Sequence, residues 1–205
     1  DILGCSEPTI DPADIERRIT PRTKAIVVMH YGGHICRMAE IQAICRHHGL
    51  ALIEDACHAV GARYVDHEHR PPHDNMAGHL GDVACFSFFS NKDLAVGEGG
   101  MVVTDCEKQA RRLRSLSAQA RSGTDYRYDA IGFNYRMTNL NAGVLLAQIE
   151  RLEEMVAAKR TIAATYDRAF QVRSDILPMP RAPWAESACW LYSVRCRSES
   201  DAQSL

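Results

Sequence analysis

The chain has 205 residues, of which 46% are hydrophobic and 24% charged, and these proportions exclude collagen-like, disordered and low-complexity proteins. Its 24 basic and 26 acidic side chains give a net charge of -2, so no broad surface for nucleic acid or for an anionic membrane is expected. No stretch approaches the roughly 18 apolar residues of a membrane-spanning helix, and the first residues do not resemble a secretory signal, which predicts a soluble cytoplasmic protein.

The first quarter of the chain has the pattern of a helix followed by a strand, a helix and a strand. Residues 11–19 carry a capping aspartate, an early proline and late arginines, which predicts a short helix. Residues 24–31 form a continuous apolar run, expected to be a strand buried on both faces. A helix is predicted over 37–48 with Gly49 as its stop, and a second strand over 50–55. The last three elements make a βαβ unit, which implies a parallel sheet.

The remaining elements follow a change in composition. His, Pro, Asp and Gly dominate residues 64–80 and predict a surface loop. Strands are predicted over 83–89 and 100–104, and an amphipathic helix over 107–119 with Leu113 and Leu116 facing inward. Residues 139–170 have a long helical pattern. We expect a large domain over residues 1–138, and a linking helix with the beginning of a small domain over 139–205.

Reactive side chains follow the predicted strands. Asp55 ends the second strand and His30 lies near the end of the first, at the edge where parallel sheets bind ligands. Lys92 follows the third strand, and Gly97-Glu98-Gly99-Gly100 precedes the fourth. A buried aspartate can keep a heterocyclic nitrogen protonated, and a partly desolvated lysine can form a Schiff base. Pyridoxal phosphate requires this pair of side chains.

Four stretches of the sequence together resemble the DegT/DnrJ/EryC1/StrS sugar aminotransferase family of fold-type I pyridoxal-phosphate enzymes. They are residues 23–32, 53–59, 86–100 and 131–137, which occur in the family's order over most of the chain. The resemblance implies an α/β fold: a large domain with a mostly parallel sheet flanked by helices, followed by the start of a small C-terminal α+β domain.

The resemblance also implies a role for five residues. Lys92 would form the internal aldimine and carry the proton between Cα and C4′, and Asp55 would pair with the pyridinium nitrogen. His58 would lie near the cofactor ring or its phenolic oxygen. Ser87 would hold the phosphate, helped by Asn134, which in the family reaches the phosphate site of the neighbouring subunit. A homodimer with a composite active site is therefore expected.

Each of these residues also has an ordinary structural interpretation. Lys92 could be a solvated loop lysine, although Ser87 and the glycine-rich segment around it favour catalysis. Asp55 could cap a turn, but its place at a strand end favours the cofactor. His58 could equally be a core histidine. The roles of Ser87 and Asn134 depend almost entirely on the resemblance.

The expected reaction follows from the residue at position 92. Family members that are dehydratases carry histidine there, so lysine indicates a transaminase. The amino donor would be glutamate or glutamine, and the acceptor a keto group of a nucleotide-linked deoxysugar, with a 4-keto-6-deoxy sugar favoured by the similarity of residues 91–101 to perosamine-synthase-like members. A ketocyclitol or aminobenzoate-pathway aminotransferase, or a non-catalytic cofactor-binding fragment or regulatory module, is the alternative.

Two departures from the family concern the ends of the chain. Family members are longer and carry an earlier Ser/Thr-Gly-Thr loop that binds the phosphate, which this sequence lacks. The sequence also stops inside the expected small domain. We therefore expect the large domain to lack its N-terminal part.

No metal site is expected from the sequence. His67, His69, His73 and His79 could be zinc ligands, but Pro71 and Pro72 between them and the lack of a regular element favour a solvated loop. None of the eight cysteines forms a Cys-x-x-Cys pair, and buried reduced thiols are expected.

Overall fold

A computed structural model describes residues 2, 7–65, 75–122 and 126–203. Ten short strands follow one another along the chain. They are β1 (Ala25–Met29), β2 (Ala51–Asp55), β3 (Arg63–Tyr64), β4 (Val83–Ser87), β5 (Gly100–Val103), β6 (Arg121–Ser122), β7 (Arg127–Tyr128), β8 (Ile176–Pro178), β9 (Ala185–Glu186) and β10 (Val194–Cys196).

Six α-helices are interspersed with these strands in the described ranges. They are α1 (Pro12–Arg18), α2 (Met38–His48), α3 (Glu107–Ser117), α4 (Asn139–Ile149), α5 (Leu152–Phe170) and α6 (Glu199–Gln203). The predicted caps of the first two are confirmed. The Asp11 side chain accepts a hydrogen bond from the amide of Ala13, and Gly49 ends α2 in the left-handed region at φ +63°, which glycine adopts at little cost.

The central sheet has four strands in the order β1-β2-β4-β5. The first three are parallel, as the βαβ pattern predicted, whereas β5 runs antiparallel to β4. Asp55 at the end of β2 is paired with Met29 on β1 and with Cys85 on β4. The carboxyl ends of β2 and β4 therefore meet at one edge of the sheet, which sets the place of the candidate site.

The prediction that β1 is buried on both faces is wrong. Val28 is fully buried in the core with Ile35, Met38 and Ile41. Val27 points to the opposite face and is 59% exposed, because no described element covers it on that face. The apolar run indicated a covered strand, but the described residues cover only one side of it.

Residues 75–80 do not form the surface loop that composition predicted, while the stretch from 66 to 74 lies outside the described residues. Leu80 is buried, and so is the backbone around Gly78. The carboxylate of Glu54 accepts hydrogen bonds from the amides of Gly78 (3.0 Å), Leu80 (2.7 Å) and Gly81 (2.6 Å). A carboxylate buried under the segment thus replaces the water that a surface loop would use.

His30 completes this buried cluster. Its Nδ1 accepts from the amide of Cys36 at 3.3 Å, so Nε2 carries the proton and donates to Glu54 at 3.0 Å. His30 and Glu54 are both 0% exposed. Burial alone would raise the pKa of Glu54, but the hydrogen bonds from His30 and from the backbone amides outweigh it and hold the pKa below its ordinary value.

The long helix predicted over residues 139–170 is two helices. Helix α4 begins at the cap of Thr138, whose hydroxyl accepts from the amide of Asn141 at 3.2 Å. Arg151 leaves helical geometry at φ -109° and ψ 10°, and the apolar spacing continues through this break because α5 packs on the same core. Helix α3 also ends two residues earlier than predicted, since Gln119 and Ala120 have positive φ angles.

The C-terminal third packs against the earlier part of the chain. Strand β9 pairs with β3, whereas β10 pairs with β8 inside the C-terminal third. Ala188 joins the same core cluster as Val28. Within the described ranges, no helix combines the length and the apolar composition needed to cross a bilayer.

Replacing the buried carboxylate should destabilise the fold. In Glu54→Gln, one oxygen that accepts amide hydrogens becomes an NH₂ group, so we expect the free energy of unfolding to fall by about 2–4 kcal/mol. Because the folded pKa of Glu54 is below that of the unfolded chain, its contribution is present above pH 4.5 and is lost as the pH falls through the folded pKa. Urea titrations at pH 7 and pH 4 measure both effects, with the exposed Glu107→Gln as control. Equal unfolding midpoints for wild type and Glu54→Gln at pH 7 would contradict this role.

Candidate active site

Asp55 lies at the end of β2 with its side chain on the face opposite to Glu54, because successive side chains of a strand alternate between faces. It is half-buried, and its Oδ1 accepts from the amide of Cys57 at 3.1 Å. Because a carboxylate accepts several hydrogen bonds, Asp55 could accept a further one from a donor on a bound molecule.

Two thiols lie beside this carboxylate. The ligand atoms of Asp55, Cys57 and Cys85 are all within 4.8 Å of one another. Burial raises the pKa of Cys57 to about 12, and the hydrogen bond and negative charge of Asp55 act in the same direction. Cys57 is therefore a neutral thiol at physiological pH.

Lys92 lies in a loop of residues 88–99 that follows β4. The loop is closed by its own backbone, since Phe88 donates to the carbonyl of Gly99 at 2.8 Å and Val96 donates to that of Phe88 at 2.9 Å. The amide of Lys92 donates to the carbonyl of Phe89 at 2.9 Å, which forms a tight turn. The lysine side chain is half-buried.

Two helices fix the position of this loop. The Gln148 side chain of α4 forms two hydrogen bonds with the backbone of Ala95. It accepts from the amide at 2.9 Å and donates to the carbonyl at 2.8 Å. Lys159 of α5 places its Nζ 3.1 Å from the carboxylate of Asp93, whose side chain is 6% exposed. The residue next to Lys92 is thus tied to a helix more than 60 positions later in the chain.

Ser87 and His58 lie at the same edge of the sheet. Ser87 is the last residue of β4, and its hydroxyl oxygen accepts from the amide of Phe89 at 3.4 Å. His58 Nδ1 accepts from the amide of Gly32 at 3.3 Å. Burial lowers the pKa of His58 and the positive charge of Lys92 lowers it further, whereas Asp55 opposes both. The imidazole therefore lies within electrostatic range of both Lys92 and Asp55 and is neutral at pH 7.

Asn134 is not brought to this edge. It is exposed in segment 131–137, which pairs with the end of α3 through an isolated bridge between Asn134 and Ala118. The segment lines a cavity of about 950 Å³ beside β4 and β5, together with Cys85 of β4 and with Glu98 and Gly99 of the loop that carries Lys92. Asn134 lines this cavity, whereas Lys92 does not.

The structure adds residues that sequence reasoning did not find and removes one that it suggested. His30, expected at the ligand edge, is a fully buried partner of Glu54. Trp190 lies over Lys92, with the ammonium 4.0 Å from the ring centroid, and it packs on His58. Gln148 and Asp93 hold the lysine loop. No short-range pattern pointed to these residues, because their partners are distant in sequence.

The edge of the sheet offers a carboxylate, a lysine amine, a serine hydroxyl and an aromatic imidazole within one small region. This set, contributed by Asp55, Lys92, Ser87 and His58, fits a heterocyclic aldehyde that carries a phosphate. The sequence matches the profile of the DegT/DnrJ/EryC1/StrS aminotransferase family over residues 5–205. The chain belongs to this family.

Known members of the family are similar over nearly the whole chain. The GDP-perosamine synthase of Caulobacter vibrioides is 40% identical over 188 residues, which cover 91% of this chain and 48% of that protein. The crystal structure of S. venezuelae DesV in complex with a ketimine intermediate has a TM-score of 0.88 at 32% identity, covering 97% of this chain and 52% of that one. For 3-amino-5-hydroxybenzoic acid synthase the TM-score is 0.85 at 28% identity, with coverage of 95% and 50%.

These matches confirm the predicted fold class. The chain has the α/β fold of the pyridoxal-phosphate aminotransferases, with a mostly parallel sheet flanked by helices. It spans about half the length of the relatives it matches.

The predictions on metals and cysteines have mixed outcomes. His67, His69 and His73 lie outside the described residues, and His79 is exposed. All seven cysteines in the described ranges are free, but Cys106 is exposed, whereas buried thiols were expected.

Loosening the lysine loop should be measurable without any ligand. Gln148→Ala removes both hydrogen bonds to Ala95, so the amides of residues 88–99 should exchange with deuterium about fivefold faster. Gln171→Ala, at the exposed end of α5, is the matched control and should leave exchange in the loop unchanged. Unaltered exchange in Gln148→Ala would show that the helix does not hold the loop.

Proposed function

We propose that the protein is a pyridoxal-phosphate-dependent aminotransferase with Lys92 as its catalytic residue. The observation that supports this most directly is that Lys92 and His58 lie against the same Trp190 ring, at 4.0 Å and 3.9 Å from its centroid, at the edge of the sheet where Asp55 ends β2. Asp55 ends β2 and Lys92 follows β4, its neighbour in the sheet. A carboxylate in this place could bind the ring nitrogen of a pyridine aldehyde, and an amine on the neighbouring loop could react with its aldehyde group.

Each side chain has a role that its surroundings favour. The carboxylate of Asp55 would accept a hydrogen bond from the ring nitrogen and keep it protonated, while the amide of Cys57 donates to its Oδ1. Ser87 would donate its hydroxyl to the phosphate, and His58 would present its neutral ring to the cofactor. When bound, the cofactor supplies an electron sink that stabilises negative charge at Cα of the amino acid.

Lys92 would then move the proton that transamination requires. In the first half-reaction its Nζ would take a proton from Cα of the amino donor and deliver a proton on the other side of the C–N bond. In the second half-reaction Nζ would move a proton in the opposite direction, to the carbon of the acceptor that carried the keto group. The loop that carries Lys92 is fixed at Ala95 and Asp93, so Nζ has a defined place from which to reach the substrate.

For the substrates, we propose glutamate or glutamine as amino donor and a keto group of a nucleotide-linked deoxysugar as acceptor. The similarity to a GDP-perosamine synthase supports a sugar nucleotide, and a 4-keto-6-deoxy sugar in particular. The similarity to 3-amino-5-hydroxybenzoic acid synthase keeps a ketocyclitol or aminobenzoate-pathway substrate as the second candidate.

A homodimer with a composite site is proposed as well. Asn134 is exposed and flanked by Phe133 and Tyr135, which are 53% and 75% exposed and stack at 5.1 Å between ring centroids. Exposed aromatic side chains around an amide are typical of a surface that another chain covers. On this basis Asn134 would serve the phosphate site of the neighbouring subunit. We also propose that residues 1–138 form the large domain, and that residues 139–205 form the linking helical segment and the beginning of the small domain.

Removal of the lysine amine should abolish covalent binding of the cofactor. After incubation with pyridoxal phosphate and reduction with borohydride, mass analysis of wild type should find the adduct on Lys92, whereas Lys92→Ala should carry none and lose transamination. Lys108→Ala, on the exposed face of α3, is the control and should behave as wild type. An adduct retained elsewhere, together with turnover, in Lys92→Ala would contradict the assignment.

The acceptor class can be separated by direct comparison. We expect kcat/KM for a nucleotide-linked 4-keto-6-deoxy sugar to exceed that for a ketocyclitol by at least about a hundredfold, because a site built for the nucleotide loses those contacts with the smaller ketone. Parallel assays with glutamate and glutamine identify the donor. A preference for the ketocyclitol would favour the second candidate.

A further inference from the structure

Trp190 comes from a turn of residues 187–191 in the C-terminal part of the chain. The turn has a strained centre, since Cys189 has φ +56°, and it is closed by a hydrogen bond from the Cys189 amide to the Ser187 hydroxyl at 3.0 Å. It is fixed to the segment after β1, where the amide of Leu191 donates to the carbonyl of Gly32 at 3.3 Å. Strained backbone held in this way points to a function for the side chain that it presents.

Gly33, next to Gly32, permits the turn of residues 187–191 to approach the segment after β1 closely. A Cβ at Gly33 would lie 3.0 Å from the amide nitrogen of Cys189 and 3.1 Å from the carbonyl oxygen of His58. The amide of Ala188 also donates to the carbonyl of Gly33 at 3.2 Å. The turn and the candidate site are therefore packed backbone against backbone.

The indole of Trp190 makes three contacts at the candidate site. The Lys92 ammonium lies 4.0 Å from its ring centroid, a favourable cation–π distance. The His58 ring lies 3.9 Å away between centroids, with 37° between the planes. The indole Nε1–H donates to the carbonyl of Asn91, the residue before Lys92, at 3.0 Å. One side chain thus holds both the lysine and the backbone that carries it.

We propose that Trp190 is a positioning residue of the active site, which holds the Lys92 side chain and the His58 ring in place before the cofactor is bound. This inference rests on the proposed role of Lys92. The Nε1–H bond to Asn91 fixes the indole relative to the lysine loop, and the ring face then fixes the ammonium. Trp190 acts through Lys92 and His58 and takes no part in the chemistry.

The test measures the accessibility of the Lys92 amine in the protein without cofactor. Brief acetylation with a small amine-reactive ester, followed by mass analysis, gives the modification of Lys92 relative to the exposed Lys108 in the same molecule. In Trp190→Leu the ammonium loses the aromatic face, so labelling of Lys92 should increase about threefold. In Trp190→Phe a ring face remains but the bond to Asn91 is lost, so labelling should lie between that of wild type and that of Trp190→Leu. Equal labelling in the Leu and Phe variants, or no increase in Trp190→Leu, would overturn the proposal.

The other tryptophan offers a matched control. Trp184 has the same kind of contacts away from the site, with the Arg37 guanidinium 4.7 Å from its ring and its Nε1–H donating to the carbonyl of Ile35 at 3.4 Å. Trp184→Leu should leave the labelling of Lys92 unchanged. A comparable rise in that variant would mean that Lys92 responds to general loosening, and would overturn the proposal.

A second measurement keeps the proposal testable if Trp190→Leu does not fold. In Trp184→Phe, Trp190 is the only indole of the chain, because the sequence has two tryptophans. Adding Lys92→Met removes the charge over the ring and should shift the emission of Trp190, whereas an unchanged spectrum would overturn the contact.

The two proposals fail in different ways. Acetylation and fluorescence need no cofactor, so an adduct elsewhere together with turnover in Lys92→Ala would overturn the proposed function and leave the contact with Trp190 standing. Loss of the adduct in Lys92→Ala together with unchanged labelling in Trp190→Leu would overturn only the positioning role.

Discussion

The candidate site depends on a carboxylate that takes no part in it. Glu54 is fully buried and collects three backbone amides and the imidazole of His30, which fixes the end of β2 against the segment of residues 78–81. A buried charge is tolerated only when it is satisfied in this way, so the cluster defines one arrangement of the strand and the segment. With Glu54 held inside, strand alternation leaves Asp55 on the face that a ligand can reach.

Glu54 and Asp55 are adjacent in the sequence but point to opposite faces of the strand and have different roles. The sequence alone predicts only part of this difference. The strand pattern and the parallel sheet were enough to predict that Asp55 lies at the ligand edge, and the caps of α1 and α2 followed from local residues. Composition failed at residues 75–80, because histidine, proline and glycine there indicate exposure, whereas the amides turn inward to Glu54. The partner that makes burial possible lies more than 20 residues away.

The contacts that hold the lysine loop also involve partners that are distant in the sequence. Its place after β4 was predictable, but its rigidity comes from Gln148, Lys159 and Trp190, each of them more than 50 positions from its partner in the loop. Such contacts have no signature in local spacing, and the apolar period of residues 139–170 even concealed the break at Arg151. The reactive groups can be identified in the sequence, whereas the contacts that fix their positions are seen only in the fold.

The residues of the candidate site come from distant parts of the chain. The Asp55 carboxylate ends β2 and Lys92 lies in the loop after the neighbouring strand β4, but the side chain that covers the lysine comes from a turn about 100 residues later. The turn is anchored to residues 32 and 33, which follow β1, so a segment after the first strand holds the turn that presents Trp190 to Lys92. A displacement of the C-terminal segment would therefore reach the amine directly through Trp190, without any change in the sheet.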